Sequence, residues 1–492
     1  MILYREGLPS GYEIEMLSRM FFPVLTLAGD RTPFPPPPQE DWLLVRAAPD
    51  GLSVVLSRGG TTLSERSSAV PGEEQELALA RMLFRCAVKS GCAPLRWGVL
   101  TGVRPIKLFH RMAAQGLDDA QQAALMRERY LLDDAMISLA QEIRRSEQAI
   151  NDRSLPNGFS LYVSIPFCPQ RCSYCSFVSQ EVERMRELIG PYVEQLCGEI
   201  GEFGGIARDL GLTLQTVYFG GGTPTTLDAQ QLSSLFRAVE KSFDLSCLLE
   251  YTVEAGRPDT IDRERLLACK SAGVTRLSVN PQSMNDEVLA AVGRRHTAAD
   301  VERAFELVRS ISFGSVNMDL IAGLPGESVE SFSRSLERVL ALGPDNVTVH
   351  ALTLKRASTL AQEQELYERR EQVAEMVDHA RERIRGAWLA PYYLYRQKNT
   401  IGSLDNTGYA LPGKEGFYNV FIMDETHTIF AAGAGAVTKL RAPCGDTIER
   451  IYNYKFPSEY LAHYSALKER KERVKRFYET HQQTEKFHYS DI

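Results

Sequence analysis

The 492-residue chain contains no run of eighteen apolar residues, so a membrane-spanning helix is not expected, and no charged-then-apolar amino terminus ending in small residues, so neither is a secretory leader. Basic charge is not in excess: 56 Lys and Arg stand against 63 Asp and Glu, a net charge of -7. The basic footprint of a nucleic-acid binder is therefore missing, although a locally basic pocket remains compatible with that balance. A disulfide framework is missing too. The nine cysteines are odd in number and scattered over a large chain. A cytoplasmic protein without nucleic-acid partners is the expectation, and the length suits two or three domains.

Cysteine is concentrated in one place. Cys168, Cys172 and Cys175 form a C-x3-C-x2-C loop inside the stretch 164–177, directly after an apolar run. Structural zinc takes four ligands, usually from two knuckles, and no second CxxC or HxxxH follows. Three thiolates can instead hold three corners of a cubane iron-sulfur cluster and leave the fourth iron open. A zinc or redox site and three incidental loop cysteines are the other readings of the spacing. The spacing resembles the signature of the radical S-adenosylmethionine (SAM) superfamily, where the open iron takes the amino and carboxylate groups of SAM. Cys197, Cys247 and Cys269 read as small buried hydrophobes, and Cys86 and Cys92 flank a helix end.

Residues 1–155 read as an amino-terminal extension with a helix near Tyr12–Phe22 and a proline-rich spacer at 32–38. A β-hairpin turning at Asp50-Gly51 follows, then a helix over Glu73–Lys89. Helices from about Asp118 to Asn151 lead to a boundary at Leu155–Gly158. In residues 156–386, strands predicted at 161–165, 216–219, 251–255, 276–279, 316–321 and 347–352 alternate with amphipathic helices. Six β-α units imply a parallel sheet with right-handed crossovers, and a partial (β/α)6 barrel is the natural closure. Residues 387–492 read as an α+β carboxyl-terminal region covering the substrate, with strands expected at Phe417–Met423 and Thr428–Ala431 and a charged helix from Ser465.

In such a barrel, function gathers at the carboxyl ends of the strands, and the informative residues fall there. The cysteines follow the first strand, Gly220–Pro224 the second, Glu254 ends the third, Gln282 follows the fourth and Asp319 lies on the fifth ahead of Gly323-Leu-Pro-Gly326. The glycine triplet reads as a plain loop or as a cradle for SAM. Glu254, costly to bury alone, would suit a cationic amino group, and Asp319 would suit a ribose diol or a local core partner. Arg294 could clamp a carboxylate or be a surface cation, while His350 could face the mouth or be a satisfied core residue. The 432–436 stretch of glycine and alanine suits either a flat ligand or close backbone packing.

Tyr162–Cys175, Phe219–Pro224, Gln282 with Arg294 twelve residues on, and Asp319–Pro325 together resemble the oxygen-independent coproporphyrinogen III oxidase family. The amino-terminal extension, Leu100–Pro105 and Pro391–Asn399 look like its coproporphyrinogen dehydrogenase branch. The resemblance implies cluster ligands at Cys168, Cys172 and Cys175. It implies contacts to one or possibly two SAM molecules at Tyr162, Tyr174, Gly221, Gly222, Thr223, Glu254, Gln282, Arg294, Asp319 and Thr353. The implied reaction converts two propionates of coproporphyrinogen III into the vinyl groups of protoporphyrinogen IX, with a 5'-deoxyadenosyl radical removing a β-hydrogen and a flavodoxin- or ferredoxin-class protein donating electrons. Four substrate carboxylates call for cations, with Arg104, Lys107, Arg396, Lys398 and Lys414 as candidates. Decarboxylases of the family tend to carry a further Cys two positions after the triad and a His two positions after the Tyr; Phe177 and Ser164 stand there. Members lacking that Cys include a heme chaperone and methyltransferases acting on heme, which are the alternative activities.

Overall fold

The computed structural model describes residues 1–488 apart from 9, 30, 31, 33, 35, 37, 38, 69–72, 176, 178 and 354–367. Backbone contacts divide the chain into two units, Met1–Arg144 with Tyr395–Asp405, and Arg145–Leu394 with Asn406–Ile492. Among the described residues no helix is long and apolar enough to cross a membrane.

The first unit is built on a sheet of β1 (Ile2–Glu6), β2 (Thr26–Leu27), β3 (Trp42–Ala48), β4 (Gly51–Arg58) and β5 (Thr61–Ser67), in the order β2-β1-β3-β4-β5. Period-2 alternation turns Leu43, Val45, Leu52, Val54 and Leu56 into the core. There they join Ile14 and Leu17 of α1 (Tyr12–Phe21) and Leu79 and Leu83 of α2 (Glu73–Lys89). The hairpin turns at Asp50-Gly51 as expected, with Gly51 at φ 143°. β1 and β5 were not legible: β1 pairs in parallel with the distant β3, and β5 is polar and largely exposed. Helices α3 (Ile106–Ala114), α4 (Asp119–Tyr130) and α5 (Asp134–Asn151) follow, α4 opened by a capping box between Asp118 and Gln121.

The second unit holds an 11-stranded sheet. Its centre is the β/α run read from the sequence: β6 (Gly158–Ile165), the two-residue strands β7 (Phe167–Cys168) and β8 (Gln180–Glu181), α6 (Val182–Asp209), β9 (Thr213–Gly221), α7 (Ala229–Ser242), β10 (Glu250–Glu254), α8 (Arg263–Ser271) and β11 (Arg276–Ser278). It continues with α9 (Asp286–Ala291), α10 (Ala298–Ile311), β12 (Ser315–Ala322), α11 (Val329–Leu342), β13 (Asn346–Ala351) and α12 (Arg370–Gly386). The rest of the last helix expected, from 362, lies outside the described residues. Strands β6, β9, β10, β11, β12 and β13 stand side by side in chain order, each parallel to the next. They are buried nearly throughout but alternate in character: Val316, Met318 and Leu320 of β12 are interleaved with Ser315, Asn317 and Asp319, so one face is apolar and the other polar.

The sheet stays open and is prolonged at both edges. After β14 (Ala390–Arg396), β15 (Asp405–Ala410) pairs antiparallel with β13. Beyond α13 (Phe417–Met423), β16 (Thr428–Ala432) pairs in parallel with β6, followed by β17 (Val437–Arg441) and β18 (Ile448–Tyr452). The chain ends in α14 (Pro457–Ala462) and α15 (Tyr464–His488). The partial β/α barrel class with amino-terminal α/β and carboxyl-terminal α+β additions is thus the observed one.

Two expectations are corrected. Phe417–Met423 is helix, not strand: Phe417, Tyr418, Val420 and Phe421 are spaced for one helical face, and Glu250 Oε2 accepts from the Phe417 N–H at 2.7 Å, capping the first turn. Cys247 is exposed rather than buried, because it lies in the turn before β10; Cys269 is buried.

Candidate functional site

The loop after β6 is pinned on several sides. β7 and β8 pair across it, joining Phe167 with Gln180 and Cys168 with Glu181. Gly222 donates its N–H to Ile165 O at 2.7 Å and Thr223 donates to Phe167 O at 2.8 Å, tying the loop to the end of β9. Ser173 donates to Val292 O at 3.1 Å, which ties it to the end of α9. Within the loop, Cys175 donates to Cys172 O at 3.1 Å. Cys168, Cys172 and Cys175 are all free and half-buried.

The glycine triplet makes this approach possible. A Cβ on Gly222 would stand 2.6 Å from Phe167 O and 3.0 Å from Cys168 Sγ, and Gly221 sits at φ 113°, where a side chain is strained. Thr223 Oγ1 lies 3.4 Å from Cys168 Sγ. Burial raises the Cys168 thiol above its ordinary range, with the Thr223 hydrogen bond working against it, and burial raises Cys175 as well. These thiols favour the protonated state until a cationic partner arrives, which suits metal-bound thiolates.

Beside the loop, three tyrosine rings lie nearly parallel: Tyr218 and Tyr418 with centroids 4.4 Å apart, and Tyr162 at 6.1 Å from Tyr218. Tyr218 donates its hydroxyl to Glu254 Oε1 at 2.5 Å. Burial raises Glu254 to about 7, Tyr218's hydrogen bond opposing and the charge of Asp319 adding to it. Asp319 behaves differently. Burial again acts upward, but His350 at 3.7 Å, Asn317 donating at 2.7 Å and Thr348 hold it below the usual carboxylate range. The two carboxylates thus stand in one electrostatic neighbourhood with opposite shifts.

Gln282 extends the row. It adopts φ 67°, its N–H donates to Asp319 O at 2.9 Å, and its carbonyl accepts from Ile321. The side-chain Oε1 is buried with no partner among the described residues, the kind of orphaned acceptor that a ligand N–H or O–H would satisfy. Arg294, only 4% exposed, donates to the carbonyls of Asn280 at 3.0 Å and Gly256 at 2.8 Å, so much of its fork is used in tying strand-end loops together. Tyr174 lies between the second and third cysteines and is half-buried. Thr353 donates to Ala351 O at 3.3 Å and borders the undescribed 354–367.

The residues fit a cluster and SAM on this chemistry: three thiols on one pinned loop, a glycine cradle, an orphaned amide oxygen and a buried carboxylate that has no Lys or Arg ion pair among the described residues. For Lys414 and Arg396 the expected role as cations awaiting a substrate carboxylate does not hold. Lys414 donates to Gly314 O at 2.7 Å, at the amino end of β12 and away from the carboxyl ends that carry the site. Arg396 is buried and donates to Leu100 O at 2.6 Å and Ser403 O at 3.3 Å, stacked on Trp97, so it fastens the 100–103 turn instead of awaiting a carboxylate. Arg104 and Lys107 are half-buried in the first unit, and Lys398 there donates to the Tyr12 hydroxyl. The 432–436 stretch is a close-packing element: a Cβ on Gly433 would meet Ser164 O and Tyr192 Oη, each at 2.6 Å. Ser164, where decarboxylases of the family tend to carry His, donates to Ala434 O at 2.9 Å in the same contact.

Tyr218 and Tyr418 were missed by sequence reasoning. Tyr218 was accessible in principle, two residues before the glycine turn on the same strand; Tyr418 was hidden by the misread helix.

Residues 162–339 match the radical SAM superfamily model. The chain is 39% identical over 370 residues to the oxygen-independent coproporphyrinogen-III oxidase-like protein HemZ of Bacillus subtilis, covering 74% of each. It is 36% identical over 200 residues to the heme chaperone HemW of the same organism, 40% of this chain and 51% of that one. Coproporphyrinogen III oxidase HemN from Escherichia coli aligns in structure with a TM-score of 0.49 at 23% identity, over 65% of this chain and 72% of that one. On the HemZ match over three quarters of both sequences, the chain belongs to the oxygen-independent coproporphyrinogen-III oxidase-like family of radical SAM proteins.

Proposed function

We propose that this protein is a cytoplasmic radical SAM enzyme that decarboxylates coproporphyrinogen III to protoporphyrinogen IX in oxygen-independent heme biosynthesis. The observation that carries the reading is the gathering of the thiol loop, the glycine cradle and the Glu254–Gln282–Asp319 row at successive strand ends, in a chain resembling HemZ along most of its length. Cys168, Cys172 and Cys175 hold a 4Fe-4S cluster with one open iron. When bound, the cluster and SAM supply one-electron cleavage of the sulfonium and hydrogen-atom abstraction. Glu254 accepts from the amino N–H groups of SAM and Asp319 from its ribose hydroxyls, and Gln282 Oε1 accepts from a further ligand donor; Tyr162, Tyr174, Gly221, Gly222, Thr223, Arg294 and Thr353 complete the contacts to one SAM or two. Each reacting propionate would lose a β-hydrogen atom to the 5'-deoxyadenosyl radical, then carbon dioxide and one electron, the electron passing to an external one-electron acceptor, so the protein must hold that side chain against SAM and keep water and oxygen out. A flavodoxin- or ferredoxin-class donor reduces the cluster.

A second reading, a heme carrier that keeps the cluster, draws on the HemW similarity and on Phe177, 63% exposed where decarboxylases tend to carry Cys. Anaerobic incubation of reconstituted protein with SAM, dithionite and coproporphyrinogen III separates them. Protoporphyrinogen IX with 5'-deoxyadenosine supports the decarboxylase. SAM cleavage without decarboxylation sinks it, and tight heme binding without turnover supports the carrier.

A further inference from the structure

The loop leaving β10 carries a buried ion pair that the SAM site does not use. Arg257 is 4% exposed. Its Nε and Nη2 donate to Asp259 Oδ1 and Oδ2 at 3.0 and 3.1 Å, a bidentate pair. The remaining nitrogen, Nη1, points the other way and donates to Cys172 Sγ at 3.7 Å. A guanidinium stays charged even when buried, and the Asp259 side chain, 34% exposed, offsets only part of that charge.

We propose that Arg257, aimed by Asp259, sets the reduction potential of the iron-sulfur cluster through its hydrogen bond to the Cys172 sulfur. The inference rests on the ligation of that cluster by Cys168, Cys172 and Cys175. Reduction adds one electron to the cluster and makes it more negative. A donor and a positive charge at a ligating sulfur favour the reduced state, and hydrogen bonds to the sulfurs are among the factors that set such potentials. A radical SAM cluster must accept an electron from a low-potential donor, so a cation at this sulfur eases that step. Arg257 is therefore a positioning and tuning residue. Asp259 acts with the opposite sign: its negative charge opposes reduction, while its bidentate grip holds the guanidinium on the sulfur side.

Opposed signs give the test. Full-length wild type, Arg257→Met and Asp259→Asn are reconstituted anaerobically, assayed for iron and sulfide, and titrated with dithionite and mediators while the reduced cluster is followed by electron paramagnetic resonance. Arg257→Met is expected to lower the reduced-to-oxidised ratio at a fixed potential at least tenfold, about 59 mV for a one-electron couple. Asp259→Asn, which keeps an amide oxygen to hold the guanidinium while removing the negative charge, is expected to raise that ratio at wild-type iron content. Unchanged midpoints in both variants, or shifts of the same sign, overturn the proposal. If Arg257→Met fails to hold iron, Asp259→Asn decides alone, and the absence of an upward shift overturns it. Wild type that binds no iron refutes the ligation itself, a failure seen in the iron assay before any titration.

Discussion

At the scale of single residues, Glu254 makes the sharpest claim. Its folded pKa, raised to about 7 by burial and Asp319, exceeds the ordinary carboxylate value. Ionising it in the unliganded protein therefore costs stability as pH rises from about 4.5 to 7. The amino N–H donors of SAM beside it favour the carboxylate and lower that pKa in the complex. SAM should then bind about tenfold more weakly at pH 6 than at pH 8, releasing a proton on binding below pH 7. Calorimetry in buffers of different ionisation enthalpy measures both; pH-independent affinity would contradict the role. Glu254→Gln should flatten the pH profile and weaken SAM by about 1.5–3 kcal/mol, the worth of a charged hydrogen bond.

Gly222→Ala is the second prediction at this scale. Its Cβ would collide with Phe167 O and press on Cys168 Sγ, so reconstituted protein should hold markedly less iron while its far-ultraviolet circular dichroism is kept. Wild-type iron content would show that the close approach is dispensable. The cysteines, glycines, Glu254 and Asp319 were readable because reactive residue types fell at strand ends, where a β/α sheet gathers them. Arg257 was not, since the aim of its fork at Cys172 depends on how two loops far apart in sequence meet.

At the scale of elements, Tyr192 on α6 joins two strands that the sequence could not pair. Its buried hydroxyl donates to Ser164 O at 2.9 Å at the end of β6 and accepts from Ala434 N at 2.8 Å after β16. Tyr192→Phe leaves both backbone groups without that partner and should cost about 1–3 kcal/mol in denaturant unfolding. A loss within 0.3 kcal/mol would mean that other groups satisfy them. Periodicity located the six central strands and most of their helices, whose patterns are long and regular. It failed at α13, where a seven-residue stretch, apolar but for Asn419, suits either period and Glu250, 167 residues earlier, supplies the cap.

At the scale of the molecule, the carboxyl-terminal segment is part of the sheet that carries the site. β16 covers the edge of β6 in a parallel register from Phe159–Thr428 to Val163–Ala432, and Phe430 packs on Phe159 with centroids 4.9 Å apart. A chain ending at residue 405 would expose that apolar edge, so it should express as aggregate. A soluble, folded truncation would show that the β/α run stands alone. The order of the central strands came with the barrel reading of six successive β-α units, but what covers the two edges is long-range pairing that local pattern does not encode.

The central claim is that three thiolates on the pinned loop hold an open-cornered cluster. The most direct measurement is the iron and sulfide content of anaerobically reconstituted wild type and Cys172→Ala. Wild type should hold about four of each per chain, and the variant should lose most of both together with SAM cleavage. Equal contents in the two proteins would contradict the account.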